Sequence, residues 1–159
     1  MASKKFPEPA ALSDVAEFHE TFNLPILDNP SIPEKERCAL RINLLQEELD
    51  ELKAAIEDND LVEIADALCD LQYVLSGAIH EFGLGYKFKA LFEEVQRSNM
   101  SKVCEDLTVA NETLEFYQKK DGTEGFVKQT EAGFLVYRST DKKVLKSVTY
   151  SPADLKSII

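Results

Sequence analysis

Two long helical stretches joined by only three polar residues set the tightest limit on what this chain can fold into. From Glu34 to about Asp58 there is no glycine or proline, and Leu45, Leu49, Leu52 and Ile56 recur at helical spacing. Those four predict a core stripe. Asp58-Asn59-Asp60 is a tight polar break, after which Asp60 can cap a second helix that reaches about Phe82. A connection this short predicts an antiparallel pair. On the second helix Leu61, Ile64, Ala65, Leu68 and Leu75 make one apolar side, and Ala67, Leu71, Val74 and Ala78 make another. A helix apolar on two sides must be covered on both, and so short a chain has few elements to do it, which predicts oligomerisation.

The other elements are shorter. Residues 1–12 read as a loose arm, and Ser13-Asp14 offers capping chemistry to a first helix carrying Val15, Phe18, His19 and Phe22. Leu24 to Pro33 holds three prolines and is expected to be a loop. Gly83 and Gly85 end the second long helix, and a further helix with Phe88, Leu91, Phe92 and Val95 is expected over roughly Tyr86 to Ser101. Beyond Cys104 the runs at 125–130, 133–138 and 146–150 are β-prone and broken by turn residues. They predict a hairpin or a three-stranded sheet, then a one-turn helix begun by Ser151-Pro152. The fold class expected is mainly α: a four-helix core over residues 13–104 that dimerises, with a small β-containing appendage over 105–159 packed on the same domain.

The chemistry lies on the two long helices. With 3.6 residues per turn, Glu48 and Glu51 fall on one side of the first, and Glu63 and Asp66 on one side of the second. An antiparallel pair then gathers four carboxylates. Runs of acids usually mark a solvated face, but here Lys53 is the sole basic residue between Leu44 and Asp70. The pairs Glu47/Glu51 and Asp66/Asp70 also set like charges four residues apart, each costing roughly 0.2–0.5 kcal/mol without a cation. An all-oxygen donor set favours Mg2+, with Mn2+ as a substitute. A calcium loop at Asp58-Asn59-Asp60 is excluded by the missing glycine and terminal glutamate, and a di-iron site by the lack of Glu-x-x-His.

Charge and composition exclude other classes. A net charge of −11 argues against binding a nucleic-acid polymer, which depends on Lys and Arg neutralising phosphates. No apolar run approaches the ~20 residues needed to cross a bilayer, and no signal peptide is visible, so a cytoplasmic protein is expected. Cys38, Cys69 and Cys104 are odd in number and widely spaced, which predicts reduced thiols, with two of them in helical cores.

Glu47-Glu48-x-x-Glu51, eleven residues, then Glu63-x-x-Asp66 resembles the signature of the all-α nucleoside triphosphate pyrophosphohydrolases, the MazG-like and phosphoribosyl-ATP pyrophosphohydrolase-like superfamily. Phe18-His19-x-x-Phe22, Arg41-x-x-Leu44-Leu45, Asp66-Ala67-Leu68-x-Asp70-Leu71, Ser98-Asn99-Met100-Ser101-Lys102 and Tyr150-x-Pro152-x-Asp154-Leu155 are similar to a bacterial MazG-like branch. The resemblance covers about 14–104 and leaves Glu105 to Lys143 unassigned. It implies cleavage between the α and β phosphates of a nucleoside triphosphate, giving a monophosphate and pyrophosphate. Glu48, Glu51, Glu63 and Asp66 suit two Mg2+ ions that would bridge phosphate oxygens and activate a water. Glu47 would bind a further metal or orient the water; Asp70 would lie on the ligand face or support it from behind. Asn99 and Lys102 are candidates for the phosphates, the alternative for Lys102 being simple snorkelling at a helix C-terminus. His19, Phe22 and Tyr73 are candidates for the base pocket, whereas His80, 14 residues beyond Asp66, is too far along the axis and is expected to be buried.

Two rivals stand beside this reading. Phosphoribosyl-ATP hydrolysis in histidine biosynthesis changes the substrate and keeps the metal chemistry. A non-catalytic helical dimer would use the acids only to hold a divalent ion or dock a basic partner. Whether dimers pair into tetramers is left open by the sequence.

Overall fold

The structure, a computed structural model, describes residues 4–159. The chain divides into two compact units, residues 4–88 and 89–159. The first holds α1 (Ala11–Thr21), α2 (Lys35–Glu57), α3 (Leu61–Glu81) and a short 3-10 turn over Gly85–Lys87. The second holds nearly all of α4 (Phe88–Met100), then α5 (Leu107–Asp121), β1 (Gly125–Thr130), β2 (Gly133–Arg138) and a final 3-10 turn over Leu155–Ser157.

All three helices of the first unit stop in the same way. After α1, α2 and α3 come Asn23, Asn59 and Gly83, each with positive φ, at 53°, 56° and 65°. In each case the left-handed residue donates its N–H to one late carbonyl and the following residue donates to the carbonyl before it. For α2 these are Asn59 N to Ile56 O at 3.2 Å and Asp60 N to Ala55 O at 3.0 Å. This Schellman geometry uses up orphan carbonyls and turns the chain sharply. Asp60 then accepts from the N–H groups of Val62 and Glu63 at 2.9 and 3.2 Å, starting α3 at once. One residue thus closes one helix and opens the next. Gly83 also admits a close approach, since a Cβ there would lie 1.9 Å from the Asn29 carbonyl oxygen.

The helical hairpin matches the expectation, but its packing differs. Ala67 and Ala78 are buried and Leu71 and Val74 half-buried, so that side of α3 faces inward. Leu61, Leu68 and Leu75 are exposed. On α2 the expected core stripe is only partly covered: Leu45 and Leu52 are half-buried, while Leu49 and Ile56 lie open. The residues of α2 that are fully buried are instead Arg41 and Ala55. Of the cysteines, all free, Cys69 is exposed, Cys38 half-buried and Cys104 fully buried, which corrects the expectation of two in helical cores.

Of the arm expected over residues 1–12, residues 1–3 lie outside the described residues; α1 begins at Ala11, with no side-chain cap, ahead of Ser13-Asp14. In the second unit, α5 was not anticipated. Its inward face presents Ala110 and Thr113, small or polar, with Val109, Leu114 and Tyr117 only half-buried, so its helical period is weak in the sequence. Asp106 caps its start and Gly122, at φ 73°, ends it. The hairpin β1–β2 is antiparallel, with Gly125 opposite Arg138 and Thr130 opposite Gly133. Cys104, Ala110, Val136 and Leu145 form the core beneath it. The third β-prone run, 146–150, is no strand: Thr113 Oγ1 takes the Val148 N–H at 3.1 Å, and Ser147 accepts those of Thr149 and Tyr150 at 3.2 and 2.9 Å. The closing turn starts at Asp154, which accepts from Ser157, rather than at Ser151-Pro152.

Candidate active site

The bend between α2 and α3 fixes which acids face each other. Measured from the Asp60 N–H to Ala55 carbonyl bond, Glu48 lies seven residues back along α2, about 10.5 Å. Asp66 and Asp70 lie about 9 and 15 Å forward along α3. Glu48 is therefore level with the gap between them. The electrostatics agree: Glu48 is half-buried, and its carboxyl is raised above the ordinary value, first by burial and then by the charges of Glu51, Asp70, Glu47 and Asp66. Glu63 stands a turn nearer the bend than Asp66 and is exposed, as are Glu47, Glu51 and Asp66; Asp70 is half-buried.

Among the described residues no countercharge relieves this group. Lys53 is exposed and makes no salt bridge among the described residues. The donor set, all carboxylate oxygen, fits a hard divalent cation. As the side chains stand, however, no three acids, histidines or cysteines among the described residues converge closely enough to hold one.

A buried ionic network anchors the far end of the hairpin. Glu81, 1% exposed, accepts from both Arg37 and Arg41, with Arg37 Nε to Oε2 at 3.0 Å. Burial alone would raise the Glu81 carboxyl, but the hydrogen bonds from Arg37 and Arg41 hold it below the ordinary value. Arg41 also reaches His19 Nε2 at 3.3 Å, and His19 Nδ1 donates to the Pro25 carbonyl at 2.8 Å. These contacts make His19 a neutral ring, and burial, the main cause, lowers its pKa. Gly77 makes room for the network: a Cβ there would sit 2.7 Å from Arg41 Nη1 and 3.0 Å from His19 Nε2. A glycine inside a helix costs about 1 kcal/mol relative to alanine, and here it has this packing reason. The sequence assigns Arg41 no role and does not single out Arg37 or Glu81. The available signal was a basic pair four residues apart at the start of α2 and a lone acid ending the apolar α3.

The remaining candidates fall in different places. His19 is buried with both ring nitrogens engaged. His80 is buried too, with Nε2 bonded to the Leu12 carbonyl at 2.8 Å. Tyr73, one turn beyond Asp70, is half-open and meets Phe18 edge-on with ring centres 5.5 Å apart; Phe18 and Phe22 lie tilted to each other with ring centres 4.4 Å apart. These three rings form an exposed aromatic patch one turn past Asp70. Asn99 and Lys102 belong to the second unit, where Lys102 Nζ donates to Asn99 Oδ1 at 2.8 Å.

Residues 15–99, over half of the chain and including all six acids, match the family described as phosphoribosyl-ATP pyrophosphohydrolase. The chain belongs to that family. Phosphoribosyl-ATP pyrophosphohydrolases belong to the all-α MazG-like nucleoside triphosphate pyrophosphohydrolase superfamily, whose reaction class is hydrolysis of phosphoric anhydrides. The chain is also 32% identical over 109 residues to "Uncharacterized protein L479" of Acanthamoeba polyphaga mimivirus, a stretch that covers 65% of this chain and 43% of the viral protein. It thus spans under half the length of that relative. The family match ends at Asn99, before Lys102, α5 and the hairpin. No helix among the described residues is long and apolar enough to cross a membrane.

Proposed function

We propose that this family member is a divalent-metal-dependent nucleotide pyrophosphohydrolase that cleaves a nucleoside triphosphate between its α and β phosphates and clears unwanted nucleotides. The observation that carries this reading is Glu48, held among four other carboxylates without a countercharge inside the family-matched segment. Such an arrangement is unfavourable by itself and becomes favourable only with cations. Glu48, Glu51, Glu63 and Asp66 are the residues that would hold Mg2+ or Mn2+; each side chain is long or exposed enough to turn inward without moving backbone. When bound, the metal would neutralise phosphate oxygens and acidify a water. Glu47 would orient that water and take its proton, and Asp70, half-buried, would keep Glu48 turned toward the substrate. Water oxygen joins phosphorus, the bond to the bridging oxygen breaks, and monophosphate and pyrophosphate leave. Phe18, Phe22 and Tyr73 offer faces for a base, with His19 positioning α1 behind them.

Product identification by mass spectrometry decides the matter. A panel of nucleoside triphosphates with Mg2+ or Mn2+ should yield monophosphate and pyrophosphate, and chelator should stop it. Phosphoribosyl-ATP belongs in the same panel, because the family's own description names that substrate. Turnover of no nucleotide would leave only the non-catalytic, metal-binding alternative. The exposed Leu61, Leu68 and Leu75 on α3 support a homodimer formed through this surface, which sedimentation would register.

A further inference from the structure

The family-matched segment stops short of a second charged feature. The net charge of −11 resides wholly in residues 4–88, which hold seven Lys and Arg against eighteen Asp and Glu; residues 89–159 hold eleven of each. Within that neutral unit the cations are not spread evenly. A cavity of about 370 Å³ is lined by Lys102, Arg138, Lys143 and Lys146, with Asp121 as its one acid and Tyr117 in its wall. Asp121 is occupied locally, accepting from the Thr123 N–H at 3.0 Å and from the Thr123 hydroxyl. Arg138 donates Nε to Asp141 at 2.9 Å. Among the described residues, Lys102, Lys143 and Lys146 form no salt bridge.

Uncharged partners hold two of these cations in place. Lys102 Nζ is tied to Asn99, and Lys146 Nζ lies 4.4 Å from the centre of the Tyr150 ring. The Lys146 N–H donates to Tyr117 Oη at 3.2 Å, and Tyr150 Oη shares a hydrogen bond with Ser98 Oγ at 2.8 Å. That Ser98 hydrogen bond, opposed by burial and assisted by the charges of Lys146 and then Lys102, keeps the Tyr150 hydroxyl below its ordinary value. The fields of the two lysines therefore meet at one point. Four cations around one cavity repel one another until an anion enters.

Charge narrows the anion. Four cations less Asp121 and the Asp141 that pairs with Arg138 leave a surplus of two, which calls for a polyvalent anion, and phosphoryl groups carry about −1.5 to −2 each at neutral pH. Arg138 supplies a planar fork and the lysines supply point charges, the two donor types that phosphate oxygens accept. A nucleic-acid strand would need a basic stripe, which a unit of zero net charge does not provide. We propose that this cavity binds the phosphate chain of a nucleotide or the pyrophosphate released from it, and that Lys102 and residues 117–146 supply this site from outside the family-matched segment. The proposal rests on the nucleotide reading only for the source of the anion.

Titration calorimetry of the full chain in chelator tests it, with inorganic pyrophosphate and a nucleoside triphosphate carrying a methylene between its α and β phosphorus atoms. Binding of either supports the site; tighter pyrophosphate marks a product site, and a tighter analogue a substrate site. Lys143→Gln should weaken binding about tenfold, the usual worth of one charge-assisted hydrogen bond, and Arg138→Gln at least as much. Lys143 is exposed and its side chain supports nothing in the fold, so its variant keeps the test open if Arg138→Gln fails to fold. Lys128→Gln/Lys156→Gln, which removes two exposed charges outside the cavity, should leave binding unchanged. No binding of either anion at millimolar concentration overturns the proposal. So does binding that survives both cavity variants, or equal weakening by the control pair. Metal-dependent turnover without anion binding would remove this site alone; anion binding without turnover would remove the hydrolase reading alone.

Discussion

Glu48→Gln should change stability in opposite directions depending on metal. In chelator, Glu48 faces Glu51 one turn on along α2 and Asp66 and Asp70 across the hairpin. At roughly 0.2–0.5 kcal/mol for each like-charge pair, removing its charge relieves about 1 kcal/mol of repulsion. For a chain of this size that raises Tm by about 2–4 °C. Glu48 has a folded-state pKa above its ordinary value, so its contribution favours folding below the ordinary carboxylate range and is lost as pH rises through the raised value. The advantage of the variant in chelator should accordingly be full near pH 7 and shrink toward pH 4.5. With Mg2+ at a hundred times its Kd, wild type gains about 2.7 kcal/mol and the variant should lose most of that gain, together with pyrophosphate release. Melts followed by circular dichroism at two pH values, with chelator and with Mg2+, would read all of this. A variant less stable than wild type in chelator, or one that keeps the full Mg2+ shift, would refute the charge argument.

Glu81→Ala should destabilise the first unit by about 3–5 kcal/mol, because Arg41 is then left buried and unpaired; urea denaturation checks it, and a loss under 1 kcal/mol would show that the network is dispensable. Gly83→Ala should cost more than Gly77→Ala, since the first meets a backbone carbonyl at positive φ and the second the ends of two side chains; the order of their urea midpoints tests this. His19 has a lowered pKa, so stability should fall as pH drops below 6.5, where the unfolded chain takes up a proton that the fold resists; His19→Gln should flatten that slope in a pH series of melts.

The hairpin was legible because its cause is local. A glycine-free run and a polar break whose Asp60 caps the next helix decide α2 and α3 with little help from the rest of the chain. Burial was less legible, because Leu49 and Ile56 have the period of a core stripe and yet lie open in the single chain. Periodicity reports a face and not what covers it. Helix α5 was missed for the opposite reason: Ala110 and Thr113 are buried but carry too little apolar weight to mark a stripe. Among the candidate residues, spacing alone put Glu48, Asp66 and Asp70 on facing helices, and Glu48 senses both. It said little of Arg37 and Arg41, which lie 44 and 40 positions from Glu81 across the hairpin and meet it only once α2 folds back on α3. The cations of the second cavity come from a loop, a strand end and the segment after it, and nothing local links Lys102 to Arg138.

Asp60 ends one helix and begins the next without a spare residue, so the two rods share a single angular setting. Adding one amino acid between Asp60 and Asp66 would turn every later position on α3 by about 100°, swinging Asp66 and Asp70 away from Glu48 while leaving composition and helix content almost untouched. Four added amino acids would bring them nearly back into alignment, displaced by about 6 Å along the rod. Tolerance to length at this junction should therefore rise and fall with the helical repeat, and a short insertion series would show it as a periodic return of the Mg2+-dependent melting shift.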